Sequence, residues 1–103
     1  MTCEVRIQPT AQKELESIVA YLSSLGLGAA RSFLGEWETA IEGLRDGVVE
    51  HRLSRFETLA RLGYRTIIVG SYIILYFKEG DVAIVAHLFH QSQDYANIVL
   101  NGL

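Results

Sequence analysis

The densest group of reactive side chains lies near the C-terminal end of the chain, in the segment HLFHQSQDY, residues 87–95. It contains two histidines, three other polar residues, an aspartate and a tyrosine. A histidine titrates near neutral pH and can donate or accept a proton, so the segment suits acid–base chemistry. The same residues also suit the polar rim of a sheet. Composition alone leaves both interpretations open.

A second group consists of arginines that follow one another closely: Arg52, Arg55, Arg61 and Arg65, with only Glu57 as a neighbouring opposite charge. The net charge of the chain is −3, which argues against a strong, nonspecific nucleic-acid binder, because such proteins need a broad basic surface. A local basic patch that binds RNA or another target stays open, and Arg52, Arg55 and Arg61 are its candidates. Arg61 and Arg65 share strand parity, so a strand that includes both would present them on one face.

Metal and thiol chemistry have little support. His87 and His90 are an odd number of positions apart, so a strand running through both points them to opposite faces and away from a shared metal ion. His51 is too isolated to place. Cys3 is the only cysteine and is expected as a buried strand residue rather than a reactive thiolate. We expect no metal and no other cofactor.

The elements that position these residues follow from the apolar pattern. CEVRIQ alternates apolar and polar residues as a strand does. Two amphipathic helices follow, separated by SSLGLG, and their apolar stripes indicate an antiparallel helical hairpin in which Trp37 is a core anchor. The apolar residues of the segment 48–60 follow neither the helical nor the strand period, and the segment is predicted as a loop with one helical turn. RLGYRTIIV, YIILYF and VAIVAHLF are then three strands joined by tight turns.

The order β-α-α-β-β-β predicts a single α+β domain over residues 1–103, with the helical hairpin packed on one face of a small, mainly antiparallel sheet. The three strands are apolar on both faces, so we expect a partner segment or a second copy of the chain to cover the other face. Composition supports this expectation, since 50% of the residues are apolar and 20% are charged.

The N-terminal residues lack the pattern of a secretory signal, and the longest apolar runs are far shorter than the roughly 20 residues that cross a bilayer. A single cysteine gives no internal disulfide. We therefore expect a cytoplasmic protein without a membrane span.

The segment LARLGYRTIIVGSYIILYF, followed after a short turn by VAIVAHLFHQSQDY, resembles the C-terminal half of the RelE/ParE superfamily of bacterial toxins, also described as plasmid-stabilisation proteins. The shared pattern is a Tyr-Arg pair that opens a strand, an apolar hairpin, and a His-containing segment that ends in Asp-Tyr. The first half agrees in layout, so the resemblance covers nearly the whole chain. It implies the growth-inhibiting toxin of a type II toxin–antitoxin pair, neutralised by a cognate antitoxin protein, as a homodimer or in a heterotetramer with that antitoxin.

RelE-like relatives cut messenger RNA on the ribosome without a metal, with the ribose 2′-hydroxyl as nucleophile. The resemblance assigns three residues to that chemistry. Arg65 would hold the scissile phosphate. His90 would transfer a proton, and Tyr95 would transfer the other proton or stack on a base.

The chain departs from many relatives just before Asp94, where Ser92 and Gln93 stand in place of two basic residues. Losing such a cation costs roughly 100- to 1,000-fold in rate, unless Arg52 or Arg55 replaces the charge. Three functions stay open: a weakened metal-independent endoribonuclease, a ParE-like poison of DNA gyrase that needs no catalytic set, and a non-toxic member that only binds an antitoxin or regulates.

Overall fold

A four-stranded sheet forms the centre of the fold in a computed structural model that describes residues 3–47 and 51–101. The elements are β1 (Glu4–Ile7), α1 (Pro9–Leu25), α2 (Leu27–Asp46), α3 (Glu57–Arg61), β2 (Arg65–Val69), β3 (Tyr72–Glu79), β4 (Val82–His90) and α4 (Tyr95–Asn101). The predicted α+β class and the order of strands and long helices are confirmed. Within the described ranges, no helix is long and apolar enough to cross a bilayer.

The strands lie side by side in the order β1, β4, β3, β2. β2, β3 and β4 form two antiparallel hairpins with the two-residue turns Gly70-Ser71 and Gly80-Asp81. Both glycines have a left-handed backbone, with φ of 60° and 59°, which strains residues that carry a side chain. β1 pairs with β4 in parallel, because the chain crosses over through the helical hairpin before β4 returns beside it.

Helices α1 and α2 cover one side of the sheet, which we call the hairpin face. They turn at Gly26 and press their apolar stripes against residues from all four strands. Trp37 is 6% exposed in this core, as predicted. The larger buried side chains here are Phe33, Trp37, Ile41, Leu44, Ile67, Val69, Tyr72, Ile74, Tyr76, Val85 and Leu88.

The opposite side, which we call the short-helix face, is covered by the chain itself. α3, α4 and Phe56 bury a second apolar cluster there, so the prediction that this face needs a partner or a second copy is wrong. Tyr95, Ala96 and Val99 recur at helical spacing on one side of α4 and enter this cluster. A seven-residue helix thus supplies the cover that we expected from another molecule.

The side of β4 that faces away from β3 is covered first by β1 and then by side chains. β1 pairs with residues 82–85. Beyond β1, Leu88 N–H donates to Oε1 of Glu14 on α1 at 3.1 Å, and His90 N–H donates to Oε1 of Gln93 at 2.8 Å. Side-chain acceptors therefore occupy backbone donors that the short first strand does not reach.

The outer edge of β2 is closed only at its beginning. Thr66 N–H donates to the Arg52 carbonyl at 3.1 Å, and Ser54 N–H donates to the Tyr64 carbonyl at 2.9 Å. Backbone groups alternate in direction along a strand, so those of Ile68 point outward like those of Thr66. No described residue bonds to them, and Ile68 is 67% exposed. We call this free edge the open end of β2.

Candidate functional site

Arg65, predicted as the phosphate ligand, is the first residue of β2. By strand alternation its side chain lies on the hairpin face, like those of Ile67 and Val69. It is partly buried, and Nη1 donates to the carbonyl oxygen of His51 at 2.6 Å. This hydrogen bond holds the segment 51–56 against the sheet. Arg65 therefore has a structural role in the fold.

His51, which the sequence left unplaced, lies beside that bond. Its ring meets Tyr76 edge-on, with 5.9 Å between the ring centroids. Burial, and to a smaller extent the positive charge of Arg65, lower the pKa of the His51 imidazole below its usual 6.5. His51 is therefore neutral at neutral pH and serves as an anchor of the segment that follows it.

Arg61 does not lie on a strand. It is the last residue of α3 and forms an exposed ion pair with Glu57, one helical turn earlier. The predicted strand began too early, because residues 57–61 form a helix and β2 begins only at Arg65. The expectation that Arg61 and Arg65 project from one face of a strand is therefore wrong.

His90 ends β4 and lies on the hairpin face, edge-on to Tyr72 with 5.2 Å between centroids. Its Nδ1 accepts a hydrogen bond from Ser92 N–H at 3.1 Å and lies 2.7 Å from Ser92 Oγ. A neutral ring with an accepting Nδ1 carries its proton on Nε2. Ser92 and Gln93 stand where two basic residues were expected. Both contact His90 and thereby close the turn after β4.

Tyr95 begins α4 and is 1% exposed. Its ring lies between Phe56, edge-on at 5.2 Å, and Phe89, stacked at 6.0 Å. A nucleobase needs a free ring face to stack on. The expectation that Tyr95 is a base-stacking platform therefore does not fit its burial, and the same enclosure limits its use as a proton donor.

The three residues assigned to RNA cleavage do not come together. Arg65 pairs with Tyr76 of β3 and His90 pairs with Tyr72 of the same strand. Four residue steps along β3 separate these positions by about 13 Å, at roughly 3.3 Å per step. Tyr95 packs on the other side of the sheet, in the cluster of the short-helix face.

Arg52 and Arg55 do come together, in a cavity of about 200 Å³ on the short-helix face that we call the basic pocket. The pocket lies beside the end of β4, and its lining also includes Leu53, Thr66, Ile68, Ile73, Gln91 and Tyr95. The guanidinium carbon of Arg55 lies 5.0 Å from the centre of the Phe56 ring. The run of arginines in the sequence predicted this charge, but nothing in it indicated Thr66 or Gln91 as neighbours.

A larger groove of about 630 Å³ lies between α2 and the open end of β2. Small side chains on α2, namely Gly35, Thr39, Ala40 and Gly43, form one wall, and Ile67 and Ile68 form the other. Arg31 and Glu36 lie along the rim. We call it the α2–β2 groove, and its sequence signal, small residues on one helix face, was not recognised.

The two histidines of the C-terminal segment lie apart. His87 stacks on Phe89, with 5.1 Å between centroids, and its Nδ1 lies 3.4 Å from Oε1 of Glu14. That contact is an ion pair when His87 is protonated and has no hydrogen-bond geometry. His90 contacts Tyr72 on the hairpin face, so the predicted separation is observed. Among the described residues, no group of three or more His, Cys, Asp or Glu is placed to hold a metal ion.

A family model described as the ParE toxin of the type II toxin–antitoxin system, parDE, matches residues 5–95. The chain belongs to the ParE toxin family. The resemblance to the RelE/ParE superfamily is thereby confirmed over most of the length. No curated protein sequence matches the chain.

Two solved structures share the fold of this ParE family member at low sequence identity. A chain from the chromosomal ParDE toxin–antitoxin system of P. aeruginosa superposes with a TM-score of 0.66 at 14% identity, covering 86% of this chain and 96% of that one. A chain from the toxin–antitoxin complex RelBE2 of Mycobacterium tuberculosis superposes with a TM-score of 0.50 at 16% identity, covering 88% and 100%. The arrangement of helices and sheet is common to all three.

Proposed function

We propose that the chain is the toxin of a type II toxin–antitoxin system, and that it arrests growth in the cytoplasm by binding DNA gyrase rather than by cutting RNA. The observation that carries this choice is the separation of Arg65, His90 and Tyr95. Metal-independent cleavage needs its cation and both proton-transfer groups within reach of one phosphate. Side chains on two faces of a sheet, two of them about 13 Å apart along the strands, do not meet that requirement.

The local contacts of the same residues support a binding toxin. Arg65 is bonded to the His51 carbonyl, and Tyr95 is enclosed by aromatic rings. His90 presents a protonated Nε2 when neutral, because its Nδ1 is occupied by Ser92. Each has a structural partner that a catalytic role would have to displace. Membership of the ParE family supports gyrase as the target, since the ParE branch of the superfamily is the gyrase-poisoning one.

A second candidate, the metal-independent endoribonuclease, is favoured by one observation. The basic pocket brings Arg52 and Arg55 beside Gln91 and Tyr95. These arginines stand near the end of β4, where basic residues of the C-terminal segment are missing. A nuclease of this kind would use Arg52 and Arg55 in place of Arg65.

The partner that neutralises the toxin is proposed to be an antitoxin whose extended segment lies in the α2–β2 groove and adds to the open end of β2. An added strand can bond to the outward N–H and C=O of Ile68, and its side chains can enter the groove against Ile67 and Ala40. Disordered tails that fold on binding suit such a long, shallow surface. The backbone groups of Ile68 have no hydrogen-bond partner among the described residues, whereas the N–H groups of Leu88 and His90 on β4 have side-chain acceptors. This difference supports binding of the antitoxin segment at β2.

Induced expression of the chain in a bacterium, without its genetic neighbours, tests the mode of action. We expect growth arrest with DNA damage, and purified chain should block supercoiling by gyrase. Arrest with cleaved transcripts and unaffected supercoiling would establish the nuclease instead. Normal growth would contradict both the gyrase poison and the nuclease. It would support a non-toxic protein that only binds an antitoxin.

The antitoxin is tested separately. We expect a short neighbouring reading frame whose product rescues growth and co-purifies with the chain. The complex should be a heterotetramer or a heterodimer by light scattering. If co-expression of every adjacent small reading frame failed to restore growth, the assignment to a toxin–antitoxin pair would be wrong.

A further inference from the structure

We infer that the antitoxin segment at the open end of β2 alternates apolar and acidic residues, and that an acidic residue of this segment enters the basic pocket. The inference rests on the proposed pairing with an antitoxin. It goes beyond that pairing because it states the chemistry of the partner and assigns Arg52 and Arg55 to the choice of partner. It holds for either target of the toxin, gyrase or RNA.

Two cavities on opposite faces of the sheet border the same strand edge. Ile68 lines both the α2–β2 groove and the basic pocket, together with Ile67 in the groove and Thr66 in the pocket. Directly opposed residues of neighbouring strands share a face. A partner residue beside Ile68 therefore projects toward the basic pocket, and the residues before and after it project toward the groove. One added strand thus presents alternate side chains to two different cavities.

The groove suits apolar side chains. Its wall on α2 consists of small residues, among them Gly35, Ala40 and Gly43, and the opposite wall includes Ile67. Small residues leave room for the large aliphatic side chains of a partner, and their contact with Ile67 removes apolar surface from water on both chains. The partner residues that flank the position beside Ile68 are therefore expected to be aliphatic.

The basic pocket suits an anion. Two guanidinium groups line it and no carboxylate does. Arg52 and Arg55 are exposed, and neither forms an ion pair within the described residues, whereas Arg61 is paired with Glu57. A guanidinium is a planar fork that can hold both oxygens of a carboxylate. An aspartate or glutamate on the added strand would find its opposite charge already in place.

The position of Arg52 brings this charge within reach. Leu53 pairs with Arg65 across the edge of β2, and the Arg52 carbonyl accepts from Thr66 N–H at 3.1 Å. Arg52 therefore lies beside Thr66. A partner residue beside Ile68 is two residue steps farther along the strand, about 7 Å at roughly 3.4 Å per step. An arginine and a carboxylate side chain together can span this distance.

The size of the pocket limits what enters it. A volume of about 200 Å³ holds one side chain and no larger element of a partner. Leu53 and Ile73 also line it, and they can contact the methylene groups of that side chain. A lysine at the same position of the partner would meet two like charges without an intervening carboxylate, which disfavours binding. The pocket thus discriminates between antitoxins by charge.

Calorimetric titration of the purified full chain with the antitoxin that co-purifies with it tests the inference. We expect Arg52→Gln/Arg55→Gln to weaken the affinity about 10- to 100-fold, with a shallower dependence on salt. Arg6→Gln/Arg61→Gln is the matched control, because it changes the net charge equally at exposed residues that line neither cavity. The control should bind within about twofold of the wild type.

A charge exchange identifies the partner residue. Each acidic residue of the antitoxin segment is replaced by lysine in turn, and we expect one replacement to weaken binding to the wild type. Binding of that variant should recover when the chain carries Arg52→Glu/Arg55→Glu.

Three outcomes would overturn the inference. Equal affinities of the pocket variant and the control would do so while leaving the antitoxin pairing intact. A rescuing antitoxin in which no lysine replacement weakens binding would have the same meaning. If no antitoxin bound the wild-type chain, the proposed toxin–antitoxin pairing would itself be wrong, and the inference would fall with it.

Discussion

The fold treats the side of β4 that faces away from β3 differently from the corresponding side of β2. At β4, a parallel strand covers the first half, and Glu14 and Gln93 accept from the next two outward N–H groups. At β2, residues 52–54 cover the beginning, and Ile68 is left exposed above the α2–β2 groove. An unpaired strand edge is a template for another chain, and proteins normally block it. The contrast supports the proposal that the edge at β2 receives a partner strand.

The largest expected effect follows from removing the outward N–H donor at the open end of β2. Ile68→Pro deletes an N–H that is not part of the β2–β3 ladder, and its ring obstructs an approaching strand. We expect antitoxin affinity to fall about 10- to 100-fold, measured by calorimetric titration of the purified pair. Ile68→Ala, which keeps the N–H, should lose much less. Similar losses in both variants would show that the side chain, and not the backbone edge, is recognised.

Removal of the Glu14 carboxylate uncovers a backbone donor of β4. Glu14→Ala leaves the Leu88 N–H without an acceptor, and we expect it to lower the free energy of unfolding by about 1–3 kcal/mol in urea denaturation. Glu14→Gln retains an oxygen at the same position and should recover most of that loss. The alanine variant should also self-associate more in sedimentation runs. A stability equal to that of Glu16→Ala, an exposed neighbour on α1, would contradict the capping role.

Gln93→Ala should have a smaller effect at the same edge, about 0.5–1.5 kcal/mol, because the bond to His90 N–H is more exposed to water than the bond to Leu88. Thermal unfolding of the variant gives the measurement. Gln93→Glu, which keeps an acceptor oxygen, should unfold near the wild-type temperature. An unchanged transition in Gln93→Ala would mean that water replaces the side chain at no cost.

The smallest expected effect concerns pH at the β2 edge. His51 has a lowered pKa in the folded chain, so the unfolded chain binds more protons once the pH falls below about 6.5. Stability should therefore decline between about pH 7.5 and pH 5.5 by more in the wild type than in His51→Gln. Urea midpoints across this range provide the comparison. Parallel curves for the two proteins would show that His51 does not couple protonation to this edge.

Much of the fold was predictable because its signals are local. Strand alternation, two amphipathic stripes and glycines at the hairpin turns each act within a few residues. One helical turn was predicted within residues 48–60, but its position at residues 57–61 was not, because five residues give barely more than one turn and no period. Because the predicted strand began at Arg61, that residue was expected beside Arg65. Helix α4 was missed for a similar reason, and with it the cover of the second face.

The candidate site was less predictable, since it depends on which face each residue takes in three dimensions. Arg52 and Arg55 were identified from charge alone, but their neighbours come from β2, β3 and the end of β4. Ser92 and Gln93 were interpreted only as replacements for two basic residues, and the sequence did not predict that their contacts close a turn and the edge of β4. No local pattern reveals that a side chain will accept from a backbone donor several residues away.

The parallel pairing of β1 with β4 also sets the order of events during synthesis. Residues 4–7 form their ladder with residues 82–85, so the first strand has no sheet to join until nearly the whole chain has left the ribosome. Contacts between such distant segments slow folding, because a long loop must close first. A chain that stops before β4 therefore lacks both the sheet and the surfaces built on it.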